Sequence, residues 1–140
     1  MLFRHIMVAI DGSDASQRAL DMSIELAGLV DARLTALAVE GPLPAYAATI
    51  AEVDEVKREK DQFFTRLAQE ARDRADLAGV ELEVALRPGH VAEVITQYAR
   101  QIHADLIVLG HKGHFLHSHL LGSTADRVAE HSAVPVLIVR

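Results

Sequence analysis

Short apolar runs alternate with longer stretches of helical periodicity along the whole chain, and this alternation limits the fold more than any other feature. His5 to Ile10, Arg33 to Val39, Glu81 to Arg87, Leu106 to Gly110 and Pro135 to Val139 read as five strands. Ser13 or Asp14 caps a helix that carries Ala15, Ala19, Met22, Leu26 and Val30 on one stripe and ends near Val30. A loop broken by Gly41, Pro42 and Pro44 runs to about Thr49, with Tyr46 as its one large ring. A second helix follows, with Val53, Val56, Phe63 or Phe64, Leu67, Ala71 and Ala75 inward and a charged outer face, closed by Gly79. Val91, Val94, Ile95, Tyr98, Ala99 and Ile102 mark a third helix, and Gly122-Ser123 opens a fourth that runs to about Ser132. Strands that alternate with helices in this way form a doubly wound parallel α/β sheet with helices on both faces, joined by right-handed crossovers.

The strands differ in pattern. Leu106-Ile107-Val108-Leu109-Gly110 is apolar on both faces and belongs at the centre of the sheet. Glu81 to Arg87 alternates cleanly, with Leu82, Val84 and Leu86 on one side, and belongs at an edge with one wet face. Pro135 to Val139 is apolar on both faces, yet it is the natural edge beside the fourth strand. Such an edge invites pairing with another chain. The expectation is a twofold homodimer through this strand, and sedimentation as a monomer at micromolar concentration would count against it.

The 140 residues are expected to make one domain, 1–140, large enough to bury roughly two-thirds of the surface of the unfolded chain. The net charge of -6, with acids and bases interspersed, argues against broad binding to nucleic acid or anionic membrane. The absence of cysteine excludes disulfides, thiolate metal sites and thiol catalysis. No apolar run is long enough to cross a bilayer, and the N-terminal stretch is too short in its apolar core for a secretory signal. A cytoplasmic location is expected.

In a doubly wound sheet, ligands bind beyond the carboxyl ends of the strands, where the strand order reverses. The first and fourth strands flank that point, and they end in Asp11 and Gly110. Gly110, Gly113, Gly122 and Ser123 join a strand to a helix N-terminus, a context that suits phosphate, because glycines admit close approach and free amides face the anion. The pattern is neither a Walker A motif nor the dinucleotide G-x-G-x-x-G. Its glycines would otherwise serve tight turns only. Asp11 has two open readings from spacing alone: a carboxylate that accepts bonds from both ribose hydroxyls, or a turn residue bonded to local backbone.

Several segments together carry a family resemblance: VAIDGSDAS at the first strand end, RPGHVAEVI, ADLIVLGHKG, LLGSTADRVAEHS and the closing VPVLIVR. The chain resembles the ATP-binding branch of the universal stress protein (UspA-like) family over nearly its whole length. The resemblance implies a five-stranded sheet of order 3-2-1-4-5, of the adenine nucleotide alpha hydrolase-like class, and a dimer through the last strand. It implies contacts to ATP at Ala9 and Asp11, with Asp11 on the ribose. Val39 falls at an adenine contact, Leu109 and Gly110 beside adenine and ribose, and Gly113, Gly122, Ser123 and Thr124 at the phosphates. The family pattern is usually G-x2-G-x9-G-S/T, whereas the spacer from His114 to Leu121 holds eight residues. That departure bears on triphosphate geometry more than on adenosine binding. Magnesium would accompany a triphosphate.

His111, His114, His117 and His119 crowd this same loop. They are candidate ligands for zinc, copper or nickel, though no carboxylate lies within the cluster. Protonated contacts to phosphate, or a polar loop without a ligand, are the other readings. Lys112 is a candidate point charge for phosphate, and Tyr46 a ring that would stack on a base or anchor its loop. The resemblance implies an ATP-binding regulatory protein of the stress response that relays its nucleotide state to a protein partner; no nucleophile–base–orienter set is legible, so ATP hydrolysis is expected to be slow or absent. The alternatives are an interaction module without nucleotide, or a weak ATPase. A phosphate-accepting receiver is disfavoured, because the third strand ends in Arg87-Pro88-Gly89 where that class needs an aspartate.

Overall fold

The computed structural model describes residues 2–41, 49–111 and 123–140. The elements are β1 (His5–Ala9), α1 (Asp14–Val30), β2 (Arg33–Glu40), α2 (Ile50–Leu77), β3 (Leu82–Pro88), α3 (Val91–Gln101), β4 (Leu106–Gly110), α4 (Ser123–His131) and β5 (Val136–Val139). The five strands form one sheet of order β3-β2-β1-β4-β5. Every pairing is parallel, with Ile6 of β1 opposite Leu34 of β2 on one side and Leu106 of β4 on the other.

Alternation along the strands divides the apolar residues between two cores. Ile6 and Val8 of β1, Leu34, Ala36 and Ala38 of β2, and Leu106 and Val108 of β4 pack with α1 and α2. Met7, Leu37, Ile107 and Leu109 point the other way and pack with Ile95 and Ala99 of α3 and Ala125 and Val128 of α4. Strands covered on both faces must be apolar throughout, which is why Leu106 to Leu109 are all buried.

Packing shifts the expected stripe of α1. Met22 is 44% exposed, and the buried face is Ala15, Ser16, Ala19, Leu20, Ser23, Ile24 and Ala27. Small residues let the helix lie close to the sheet, and the Ser23 hydroxyl donates to Ala19 O at 2.8 Å, so it is buried with its bond made. A stripe drawn through apolar residues alone passes over serines that pack in this way. In β3 the expected inward set also loses a member. Leu82 and Val84 pack on the first core, but Leu86 is 38% exposed.

β5 is an edge strand, as expected, and its two apolar faces find partners inside the chain. Leu137 and Val139 pack on the first core, Val136 and Ile138 on the second. Burial within one copy thus accounts for part of the pattern that suggested a dimer.

At the amino ends of the strands, Asp105 fixes the start of β1. Its two carboxylate oxygens accept from the Arg4 and His5 amides at 2.8 and 3.1 Å. The buried His5 ring bonds Ile102 O through Nδ1 at 3.0 Å and Thr35 Oγ1 through Nε2 at 2.7 Å. A carbonyl only accepts, so Nδ1 carries the proton, and Nε2 of a neutral ring accepts from the threonine hydroxyl. Burial, then the nearby Arg33 guanidinium, lowers the His5 pKa below its ordinary 6.5. The unfolded chain therefore takes up this proton more readily than the folded one. The contribution of His5 to stability is full above pH 6.5 and is lost as pH falls from there toward the folded value. Urea unfolding at a series of pH values is expected to show stability falling in that window, and to show a smaller fall in His5→Gln. Parallel curves for the two proteins would refute the assignment.

Candidate functional site

The carboxyl ends of β1, β2 and β4 surround a cavity of about 410 Å³, opened between the sheet and the α3–α4 layer. Ala9, Leu37, Val39 and Leu109 come from the strands, Val91 and Ile95 from α3, and Ser123, Thr124 and Ala125 from the first turn of α4. Ile10, Asp11, Ser13, Ser16 and Gly110 complete the described lining. The volume lies in the range of small-molecule sites, and the lining is mostly apolar, with polar groups from the start of α1 (Asp11, Ser13, Ser16) and of α4 (Ser123, Thr124).

The sequence folds locally to hold Asp11 in place. β1 ends at Ala9, and Gly12 takes φ +85°, a conformation that favours glycine, so that the chain turns into α1. Ser13 caps α1, its hydroxyl accepting the Ser16 amide at 3.2 Å. Asp11 Oδ1 accepts the Ser13 amide at 2.9 Å, and the Asp11 amide donates to the buried Ser16 hydroxyl at 3.0 Å. The turn reading of Asp11 is therefore realised. Because the same bonds fix its carboxylate at the cavity wall, that reading does not compete with a ligand role.

Gly110 shows a second reason for being glycine. A Cβ built there would lie 2.5 Å from the Ala15 carbonyl carbon and 2.8 Å from the Ser16 nitrogen. The end of β4 thus touches the backbone of α1, and the first turn of that helix is drawn up to the cavity.

All seven described residues of the expected nucleotide set line this one cavity: Ala9, Asp11, Val39, Leu109, Gly110, Ser123 and Thr124. Gly113 and Gly122 lie outside the described residues, as do Lys112, Tyr46, His114, His117 and His119. His111 is described. It is buried, its amide donates to Val139 O at 2.6 Å, and it is not part of the described lining. Among the described residues, no group of three or more histidines or acids is placed to hold a metal ion.

The sequence reading missed Ile10, Ser13, Ser16, Leu37, Val91, Ile95 and Ala125 as lining residues. Val91 and Ile95 were visible as a helical stripe, but a stripe does not say which of its turns faces a cavity. Ser16 had a signal in the serine pair of DGSDAS, three residues apart, which matches a capping hydroxyl and its amide partner.

The Universal stress protein family matches this chain over residues 2–140. The chain belongs to that family. Universal stress protein YxiE of Bacillus subtilis is 32% identical over 148 residues, which cover 99% of this chain and 100% of the relative. Among solved structures, a universal stress protein in complex with cAMP is 28% identical with a TM-score of 0.77, covering 100% of this chain and 99% of the other. Universal stress protein UspA from Lactobacillus plantarum is 27% identical with a TM-score of 0.84 and the same coverage. The sheet order and helix placement seen here are those of the universal stress protein fold.

Proposed function

We propose that this universal stress protein binds an adenine nucleotide, ATP in the first instance, in the cavity at the carboxyl ends of β1 and β4. The observation that carries the reading is the convergence of every described candidate residue on that cavity. The cAMP complex of a similar universal stress protein supports the ligand class. The base lies against Ala9, Val39 and Leu109, the ribose bonds Asp11, and the phosphates meet the first turn of α4 at Ser123 and Thr124. That turn offers backbone amides with no partner inside the helix, and the helix dipole favours negative charge there. Gly113 and Gly122 would add amides to the same phosphates, and magnesium would accompany a triphosphate.

The role is regulatory. Among the described lining residues Asp11 is the only carboxylate, and one of its oxygens is occupied by the Ser13 amide. Hydrolysis of a bound nucleotide is accordingly slow at most. The nucleotide state is passed to a protein partner by a homodimer paired through β5, for which the sedimentation test above applies.

Calorimetric titration with ATP, AMP and cAMP tests the reading. At least one of the three binds at a single site, and at about a hundredfold excess over its Kd it stabilises the fold by about 2.7 kcal/mol. The spacer of eight residues between Gly113 and Gly122 leads to the expectation that AMP loses less affinity than ATP relative to relatives with nine. No heat and no stabilisation with any of the three would leave an interaction module without nucleotide as the better account.

A further inference from the structure

A second concavity lies between α3 and α4, and it shares no described lining residue with the nucleotide cavity. It consists of two neighbouring hollows that share Thr96 in their linings. The larger, of about 320 Å³, has an apolar floor that includes Ala99 and Ile107, with Arg100 and His103 at its side. The smaller, of about 90 Å³, is lined by Ala92, Thr96, Arg127 and His131, with Glu93 as the one acid among the described lining residues.

The charge here runs against that of the chain. The protein carries a net charge of -6, yet the lining of this groove holds two guanidinium groups against one carboxylate, with two imidazoles beside them as hydrogen-bonding groups. Arg127 and His131 are four residues apart on α4 and share a helix face, whereas the acids Asp126 and Glu130 line neither hollow. Two arginines elsewhere are ion-paired across elements, Arg33 with Glu83 and Arg74 with Asp21. Among the described residues no ion pair engages Arg100, His103, Arg127 or His131.

We propose that this groove docks an acidic peptide segment of a partner protein. Charge complementarity selects the sign of the occupant. The layout selects a peptide: one arginine lines each hollow, Arg100 the larger beside Ala99, Ala104 and Ile107 and Arg127 the smaller, so an occupant that meets both must be longer than a small anion and partly apolar. Glu93 to Arg100 spans about 10 Å along α3 at about 1.5 Å per residue. An extended chain rises about 3.3 Å per residue, so about four residues, acidic at the ends and apolar between, reach across. Nothing in this proposal requires a bound nucleotide.

Amide NMR of the full chain, titrated with the capped peptide Glu-Asp-Leu-Asp-Glu, tests it. Saturable shifts are expected at Ala99, Arg100, Arg127 and His131, and raising salt from about 50 to about 300 mM should weaken them. The double substitution Arg100→Glu with Arg127→Glu should weaken binding at least about tenfold while the remaining amide peaks stay in place. Should that protein not fold, Arg100→Gln and Arg127→Gln taken singly should each reduce affinity. The proposal is overturned by the absence of saturable shifts at millimolar peptide, by shifts confined to other surfaces, or by unchanged affinity in the variants. An equal response to inorganic phosphate would also overturn it in favour of a small-anion site, and an equal response to Lys-Lys-Leu-Lys-Lys would show that charge does not select the occupant.

Discussion

Gly110→Ala destabilises the protein by about 3 kcal/mol, the upper part of the range for forced overpacking. The new methyl would sit 2.5 Å from the Ala15 carbonyl carbon, 2.6 Å from its oxygen and 2.8 Å from the Ser16 nitrogen. All three are backbone atoms of α1, and a helix backbone does not swing aside as a long side chain does. α1 is also anchored through Ala19, Leu20, Ile24 and Ala27 in the first core, so relief at its first turn must strain packing along its length. Urea unfolding should show a lower midpoint with an unchanged slope. Gly41→Ala is the control: a Cβ there meets nothing within 4 Å, and the change should stay within about 0.5 kcal/mol. Equal midpoints for the two variants would show that α1 and β4 are not in contact as described. A displaced first turn would also disturb the Ser16 hydroxyl that holds the Asp11 amide, so nucleotide affinity should fall together with stability.

Asp11→Asn has the opposite profile, with stability kept and affinity lost. The Asn side chain retains an oxygen that accepts the Ser13 amide, so the turn into α1 remains closed. What disappears is the charge that strengthens bonds from the ribose hydroxyls, and affinity for AMP should drop about tenfold. Asp11→Ala removes the turn bond as well and should cost about 1 kcal/mol of stability in addition. Calorimetry and urea unfolding on the same three proteins separate the two roles. If Asp11→Asn binds AMP as tightly as the parent, Asp11 is a turn residue only and the ribose must be held by other groups.

Periodicity carried most of the fold. Five apolar runs and four helical patterns were enough for a parallel sheet with two covered faces, because strands buried on both faces are apolar along nearly their whole length, as Leu106 to Leu109 are. A cap at Ser13 or Asp14, of which the structure uses Ser13, and the wet edge at β3 were legible for the same local reason: each is a property of a few neighbouring residues. Family resemblance, rather than periodicity, supplied the strand order and the individual nucleotide contacts.

Other features were decided only when distant segments met. Met22 fits the apolar stripe of α1 in sequence, yet Ser16 and Ser23 are buried in its place, because close approach to the sheet favours small residues that bond their own helix or the neighbouring turn. Gly110 looked like room for a ligand and proved also to be room for α1, a demand created by a helix 95 positions earlier in the chain, at Ala15. The second groove brings Arg100 of α3 and Arg127 of α4 into neighbouring hollows, and no local pattern announces it. Sequence alone determined which residues had to be buried, which could turn the chain and which could carry charge, since these follow from each residue's own chemistry and that of its near neighbours. Only the tertiary structure decided which of them share a wall, because contact between segments far apart in the chain depends on how the layers pack.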